Sequence, residues 1–171
     1  SRELVLSETK AFLAKPENDK IKLKASFQNS WHCLSWNLGI KLLKQGRLKE
    51  GWKLYEHGLQ VPASGPQRWQ RSLKKPYRAD EITIWKGESL RGKRILLLGE
   101  QGIGDSMMFA SLIPRLQDEG ASISLFPGDR LTSIYERSLS EVKVLSARDL
   151  VEKKVIASDF DYQSPLGSIC Q

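Results

Sequence analysis

The stretch Lys93-Arg-Ile-Leu-Leu-Leu-Gly-Glu-Gln-Gly-Ile-Gly-Asp105 limits what this chain can become more than any other. Ile95 to Leu98 are an apolar run between a basic pair and a glycine. A run that short and that apolar predicts a strand buried on both faces, as in the first strand of a parallel sheet. Gly99, Gly102 and Gly104 then permit a tight turn and close backbone approach. Asp105-Ser106 reads as a helix cap ahead of an apolar stripe at Phe109, Leu112, Ile113 and Leu116. Strand, glycine loop and helix start together present free backbone N–H groups at one point.

The loop does not match a nucleotide site. Its glycines run G-x-x-G-x-G, so the dinucleotide order G-x-G-x-x-G is absent, as is the Gly-Lys-Ser/Thr of a P-loop. Glu100 and Asp105 flank the glycines, and carboxylates beside the N–H groups repel a pyrophosphate. The loop suits a hydroxyl-bearing ligand, or structure alone.

A chain of 171 residues holds one ordinary domain or two small ones. No apolar run approaches the ~20 residues of a membrane span, and no signal peptide is read at the start. The chain opens on Ser1 and stops at Gln171, shortly after an expected strand, so a piece of a longer protein is expected. Cys33 and Cys170 match no metal or redox spacing, and two lone thiols fit a cytoplasmic location. No metal and no cofactor is expected. The charge is uneven: residues 1–92 carry 18 Lys/Arg against 9 Asp/Glu, and residues 93–171 carry 9 against 11. A basic N-terminal half can attract nucleic acid. The lysines are dispersed over several elements, however, which favours solvated helix faces over a nucleic-acid partner.

Residues 1–62 read as helical. Leu4, Val5, Ala11, Phe12 and Leu13 suit a short helix over 3–14, and Pro16 to Asp19 read as a break. A second helix is expected from about Ile21 to Gln45, with Leu34, Leu38 and Leu42 on one face, stopped by Gly46. A third runs from Leu48 to Leu59, with Trp52, Tyr55 and Leu59 at helical spacing. Asn37, Leu38, Gly39, Leu42, Gly46, Leu48, Gly51, Tyr55 and Gly58 look like one tetratricopeptide repeat, two antiparallel helices needing small residues where they cross. No second copy is found, and a plain helical hairpin is an equal reading.

Residues 63–92 read as a linker packed on the next domain, with Trp69, Tyr77 and Trp85 as anchors. From residue 93 strand and helix alternate. After the first helix, kinked by Pro114 near Ala110 and capped by Gly120, strands are expected at Ile123 to Phe126, Val142 to Leu145 and Phe160 to Gln163, with a helix from Leu131 to Leu139. Val151 to Ala157 is ambiguous, and a loop is expected from Ser164. The fold class is α/β: a helical hairpin over 1–62, then an incomplete Rossmann-like parallel unit over 93–171.

Several motifs carry a family resemblance. Trp85-Lys-Gly-Glu-x-Leu90-x-Gly-Lys93, Leu96-Leu97, Glu100-Gln-Gly-Ile-Gly-Asp105, Phe109, Pro114, Leu116 and Phe160-Asp-Tyr162-x-x-Pro-Leu166 resemble bacterial tetratricopeptide-repeat glycosyltransferases. These are relatives of the O-linked N-acetylglucosamine transferases and, more distantly, of the heptosyltransferases. Gly51-Trp-x-Leu-Tyr-Glu56 sits where that family places its last repeat. The resemblance runs from about Asn37 to Ile169. It implies a two-domain GT-B glycosyltransferase whose N-terminal half faces the acceptor and whose C-terminal half holds the nucleotide-sugar. This chain would carry the repeat and the acceptor half, inactive without the donor half.

On that reading Asp105 is the catalytic base, and Gln101, Gly102 and Gly104 position substrate. In the resembling heptosyltransferases an aspartate at this motif position is a candidate base. A helix cap is the competing role for Asp105. The nucleotide-sugar would meet the chain only through the missing domain, and the acceptor would be a protein or glycan hydroxyl. The alternative function is a non-catalytic repeat-containing protein-interaction module.

Overall fold

The computed structural model describes residues 16–61, 81–100, 102–152 and 155–170. The expected helix over 3–14, the aromatics Trp69 and Tyr77, and Gln101 lie outside these residues. The chain divides into two compact units, residues 1–65 and 66–171. Among the described residues no helix is long and apolar enough to cross a membrane.

In the first unit α1 spans Glu17–Lys44 and α2 spans Leu48–Tyr55, continued by a 3-10 turn over Glu56–Leu59. Pro16 is the N-cap of α1, with φ −54° and ψ 147°. The expected break over Pro16 to Asp19 is therefore confined to the proline, and Glu17 to Asp19 form the first turn. A proline just outside a helix loses nothing by lacking an N–H.

The two helices meet through backbone. A Cβ on Gly39 would stand 2.8 Å from Tyr55 N and 2.9 Å from Gly51 O, and one on Gly51 would stand 2.7 Å from the Leu43 side chain. Such an approach excludes larger residues, so the buried side of α1 is set by Ser35, Trp36, Gly39 and Leu42. Of the leucines expected on one face, Leu34, Leu38 and Leu42, only Leu42 is buried. Leu34 and Leu38 are 67% and 49% exposed. Each lies one residue before a contact position, and one residue is about 100° of helix.

The second unit is mixed α/β. Its elements are β1 (Arg94–Leu98), α3 (Ile103–Ala110), α4 (Ile113–Asp118), β2 (Ser122–Phe126), α5 (Asp129–Ser138), β3 (Lys143–Val144), α6 (Ala147–Val151) and β4 (Tyr162–Pro165). Short 3-10 turns cover Ala157–Asp159 and Leu166–Cys170. The described strands form one four-stranded sheet, all parallel, in the order β3-β2-β1-β4. β1 is central, and Leu98 stands level with Phe126 on one side and Pro165 on the other. Ile95 to Leu98 are buried, as their unbroken apolar run requires, together with Leu125, Phe126, Ile113, Leu145 and Leu166.

Three expectations are adjusted. The helix containing Pro114 divides into α3 and α4, and Pro114 falls in the first turn of α4, where its missing N–H costs least. The third strand is shortened to Lys143–Val144. The fourth is shifted onward to Tyr162–Pro165 from the expected Phe160 to Gln163, and the expected loop from Ser164 is its C-terminal half. Asp161 accounts for the shift. Its N–H donates to Arg94 O at 2.9 Å and its carboxylate accepts from Arg94 N–H at 2.8 Å, so pairing with β1 begins there and runs on. On the outer edge of β4, Ile84 bridges to Gln163 in parallel, and the Gln163 amide donates to Ile82 O at 2.8 Å.

Candidate functional site at the ends of β1 and β4

The strand order reverses at β1. β2 and β3 lie to one side, and β4 is added on the other. Open parallel sheets bind ligands at such a switch point, in the crevice beyond the C-terminal ends of the strands. Here the switch point lies between the loop after β1 and the 3-10 turn after β4.

The loop after β1 is held tightly. Gly99 N–H donates to Phe126 O at 2.7 Å, and a Cβ on Gly99 would stand 2.7 Å from Pro127 O. Only glycine fits between these backbones. Gly102 is the N-cap of α3, in extended conformation, and Ser106 N–H makes the first helical bond to Gly102 O at 3.0 Å. The N–H groups of Ile103, Gly104 and Asp105 precede that bond, so helix geometry gives them no acceptor.

Asp105 is not the cap that its sequence context suggests. It is the third residue of α3, exposed, and its carboxylate folds back toward the helix start. Oδ2 lies 2.7 Å from where a Gly102 Cβ would be. Gly102 therefore leaves room for the carboxylate, and Gly104 opens onto free space with nothing within 4 Å of its Cβ position. Of the four residues singled out by sequence, Asp105 and Gly102 are brought together and Gly104 adjoins them.

The segments after β1 and β4 carry buried polar groups that sequence reasoning did not single out. The buried polar residues described in this unit are Glu100, Ser106, Gln163, Ser164 and Ser168. All lie on β1, β4 or the segments that follow them, whereas the rest of the core is apolar. A buried polar residue is the informative departure from a hydrophobic core. Glu100 is 1% exposed, and its Oε1 accepts a hydrogen bond from Gly167 N–H at 2.6 Å. That bond ties the β1 loop to the turn after β4. Ser106 is equally buried, and its hydroxyl has no hydrogen-bond partner. The available signal was a carboxylate placed directly after a doubly buried strand, where water is already scarce.

The electrostatics separate the two ends of the sheet. At the N-terminal ends, Arg94 Nη2 and Asp161 Oδ1 are 3.2 Å apart. The Arg94 side chain, then the Arg94 backbone N–H, holds the Asp161 carboxyl below its usual range. At the C-terminal ends the exposed Asp105 carboxylate stands at the start of α3. A phosphate there would have to approach the Asp105 carboxylate. Among the described residues no three His, Cys, Asp or Glu side chains converge as a metal-ligand set.

Comparison with known proteins adds one distant relative. The chain is 31% identical over 138 residues to Protein FlbA of Caulobacter vibrioides, a match covering 74% of this chain and 22% of that protein. The chain thus spans well under a third of the relative's length. No family model matches it, and no solved structure matches it.

Proposed function

We propose that this chain is the acceptor-facing part of a GT-B-type glycosyltransferase, a Rossmann-like unit preceded by a tetratricopeptide-like hairpin, acting in the cytoplasm. The observation that carries the reading is the crevice at the ends of β1 and β4. It presents the helix start of α3 and the exposed Asp105 carboxylate, while Glu100 takes the Gly167 N–H. Those features suit a hydroxyl acceptor better than a nucleotide pyrophosphate. The glycine crossing of α1 and α2 supports the repeat reading.

In this mechanism Asp105 removes the acceptor's hydroxyl proton as its oxygen attacks the anomeric carbon. The bond to the nucleoside diphosphate breaks, and configuration at carbon inverts. Gln101, Gly102 and Gly104 position the acceptor, with free N–H groups supplied by the start of α3. The donor is held by a further domain. The test is transfer of radiolabelled sugar by the longer protein containing this chain. Asp105→Asn, which keeps the shape and removes the base, abolishes transfer while leaving the melting temperature near wild type. Unchanged transfer refutes the catalytic role.

One observation favours the second reading, a protein-interaction module. Phe27, Trp31, Leu34 and Leu38 are exposed and follow helical spacing along α1. Capture of a protein partner that depends on Trp31 and Leu34, with no transferase activity, would establish it.

A further inference from the structure

We propose that this chain pairs with a second copy of itself through the exposed side of α1, the two helices lying antiparallel about a twofold axis. The pairing uses the first unit alone and is independent of the transferase reading.

Helix α1 has two apolar sides, and α2 covers one of them. Trp36, Gly39 and Leu42 are buried, and Gly39 lies against the α2 backbone. Phe27, Trp31, Leu34 and Leu38 lie about a quarter-turn away and are 78%, 61%, 67% and 49% exposed. Their steps of four, three and four residues keep the side chains in one narrow seam, the spacing of a helix that packs along another helix. Exposed Lys24 and Lys41 close the seam, each one step of three beyond its ends. The Trp31 ring meets His57 edge-on with centroids 6.3 Å apart, and an anchor already held in place loses less entropy on binding.

The occupant follows from the symmetry of the seam. A twofold interface repeats each contact in reverse, residue i on j and j on i. The four-three-four spacing reads the same in both directions. Antiparallel copies therefore set Phe27 against Leu38 of the second copy and Trp31 against its Leu34, so each ring faces a leucine. Parallel copies would set Trp31 against Trp31 and Leu34 against Leu34, crowding one level and leaving the next thin. Gln28, Ser30 and Asn37 beside the seam are exposed and uncharged. They raise no like-charge barrier to a second copy and give a foreign acidic or basic helix no charge to match.

The area is that of a modest dimer. At roughly 200 Å² per aromatic side chain, Phe27 and Trp31 expose about 250–300 Å². The two leucines add on the order of 150 Å². Two copies, with the flanking polar residues, approach the ~1,000 Å² at which a specific interface begins.

The 171-residue chain is followed by sedimentation equilibrium through the micromolar range. A monomer–dimer equilibrium is expected, and Trp31→Ala weakens it about thirtyfold or more. Leu34→Asp puts an unpaired charge in the seam and leaves a monomer, with helix content by circular dichroism like wild type because the position is exposed. Met107→Asp on α3, also an exposed apolar position, leaves the dimer intact. Register is read with a short bismaleimide in chains carrying Cys33→Ser and Cys170→Ser. Phe27→Cys chains mixed with Leu38→Cys chains cross-link, and neither does so alone, because like positions stand roughly 16 Å apart along the axis. A monomer at every concentration, a dimer indifferent to Trp31→Ala, a dimer lost in Met107→Asp, or cross-linking of Phe27→Cys with itself overturns the proposal.

Discussion

Glu100→Ala should destabilise the second unit by about 2–4 kcal/mol, and the number follows from two losses. The first is the bond from Gly167 N–H to Oε1, 2.6 Å long and buried. Removing the acceptor leaves a buried donor unsatisfied, which costs roughly 1–3 kcal/mol. The second is the packing of one buried methylene, about 0.8 kcal/mol. With an unfolding entropy of about 2 cal/mol/K per residue, a unit spanning residues 66–171 loses about 10–20 °C in melting temperature. Glu100→Gln keeps the length and one acceptor oxygen, so it should cost about 1 kcal/mol. Hydrogen exchange at the Leu96 and Leu97 amides reports this unit separately from the helical one, and urea unfolding gives the free energies. An alanine variant within 0.5 kcal/mol of wild type, on the scale of a neutral surface change, would refute the argument that Glu100 ties the two loops together. A glutamine variant worse than the alanine would refute it equally.

Gly39→Ala should cost about 1–3 kcal/mol through overpacking, despite the ~1 kcal/mol that alanine gains in helix propensity, because the opposing atoms are backbone. A variant that melts higher by circular dichroism would contradict the close crossing. Gly104→Ala, by contrast, meets open space and should leave stability unchanged or slightly raised. The helical unit should also weaken in acid. His57 lies 2.9 Å from His32, Nδ1 to Nδ1, and burial, then the neighbouring His32, pushes its pKa down against the opposing pull of Glu56. The folded state thus prefers neutral His57. Its contribution is present above the unfolded pKa of about 6.5 and is lost as pH falls through the lowered folded value. A melting temperature of the helical unit that does not fall between pH 7.5 and pH 5, or an equal fall in His57→Gln, would contradict this. Calorimetry with uridine- and guanosine-diphosphate sugars should show at most weak binding to this chain, and a micromolar dissociation constant would count against the acceptor-half reading.

What could be read from the sequence, and what could not, follows from how each part is held. Ile95 to Leu98 were legible because a strand buried on both faces must be continuously apolar. The last two residues of β4 were hidden because they are Ser164 and Pro165, held by pairing with β1 rather than by hydrophobic pattern. The leucine stripe of α1 does not mark its buried side. It is a good apolar stripe, but the helix crossing depends on Gly39 and Gly51, which carry no hydrophobic signal. At the site, the glycines marked where the loop lies. Which carboxylate is inside and which is outside depended on tertiary placement: Glu100 is buried against the turn after β4, and Asp105 stays exposed at the third position of α3. The orphaned hydroxyl of Ser106 has no sequence signature at all.

The central claim is that the ends of β1 and β4 form the ligand site, and amide chemical-shift mapping tests it most directly. The 171-residue chain is titrated with glucose and followed by two-dimensional NMR. The predicted shifts cluster on Gly102 to Ser106 and on Ser164 to Ser168, at the start of α3 and the end of β4 with the turn after it. Shifts confined to Phe27 to Leu38 on α1, or no shifts in either segment of the crevice at saturating ligand, would contradict it.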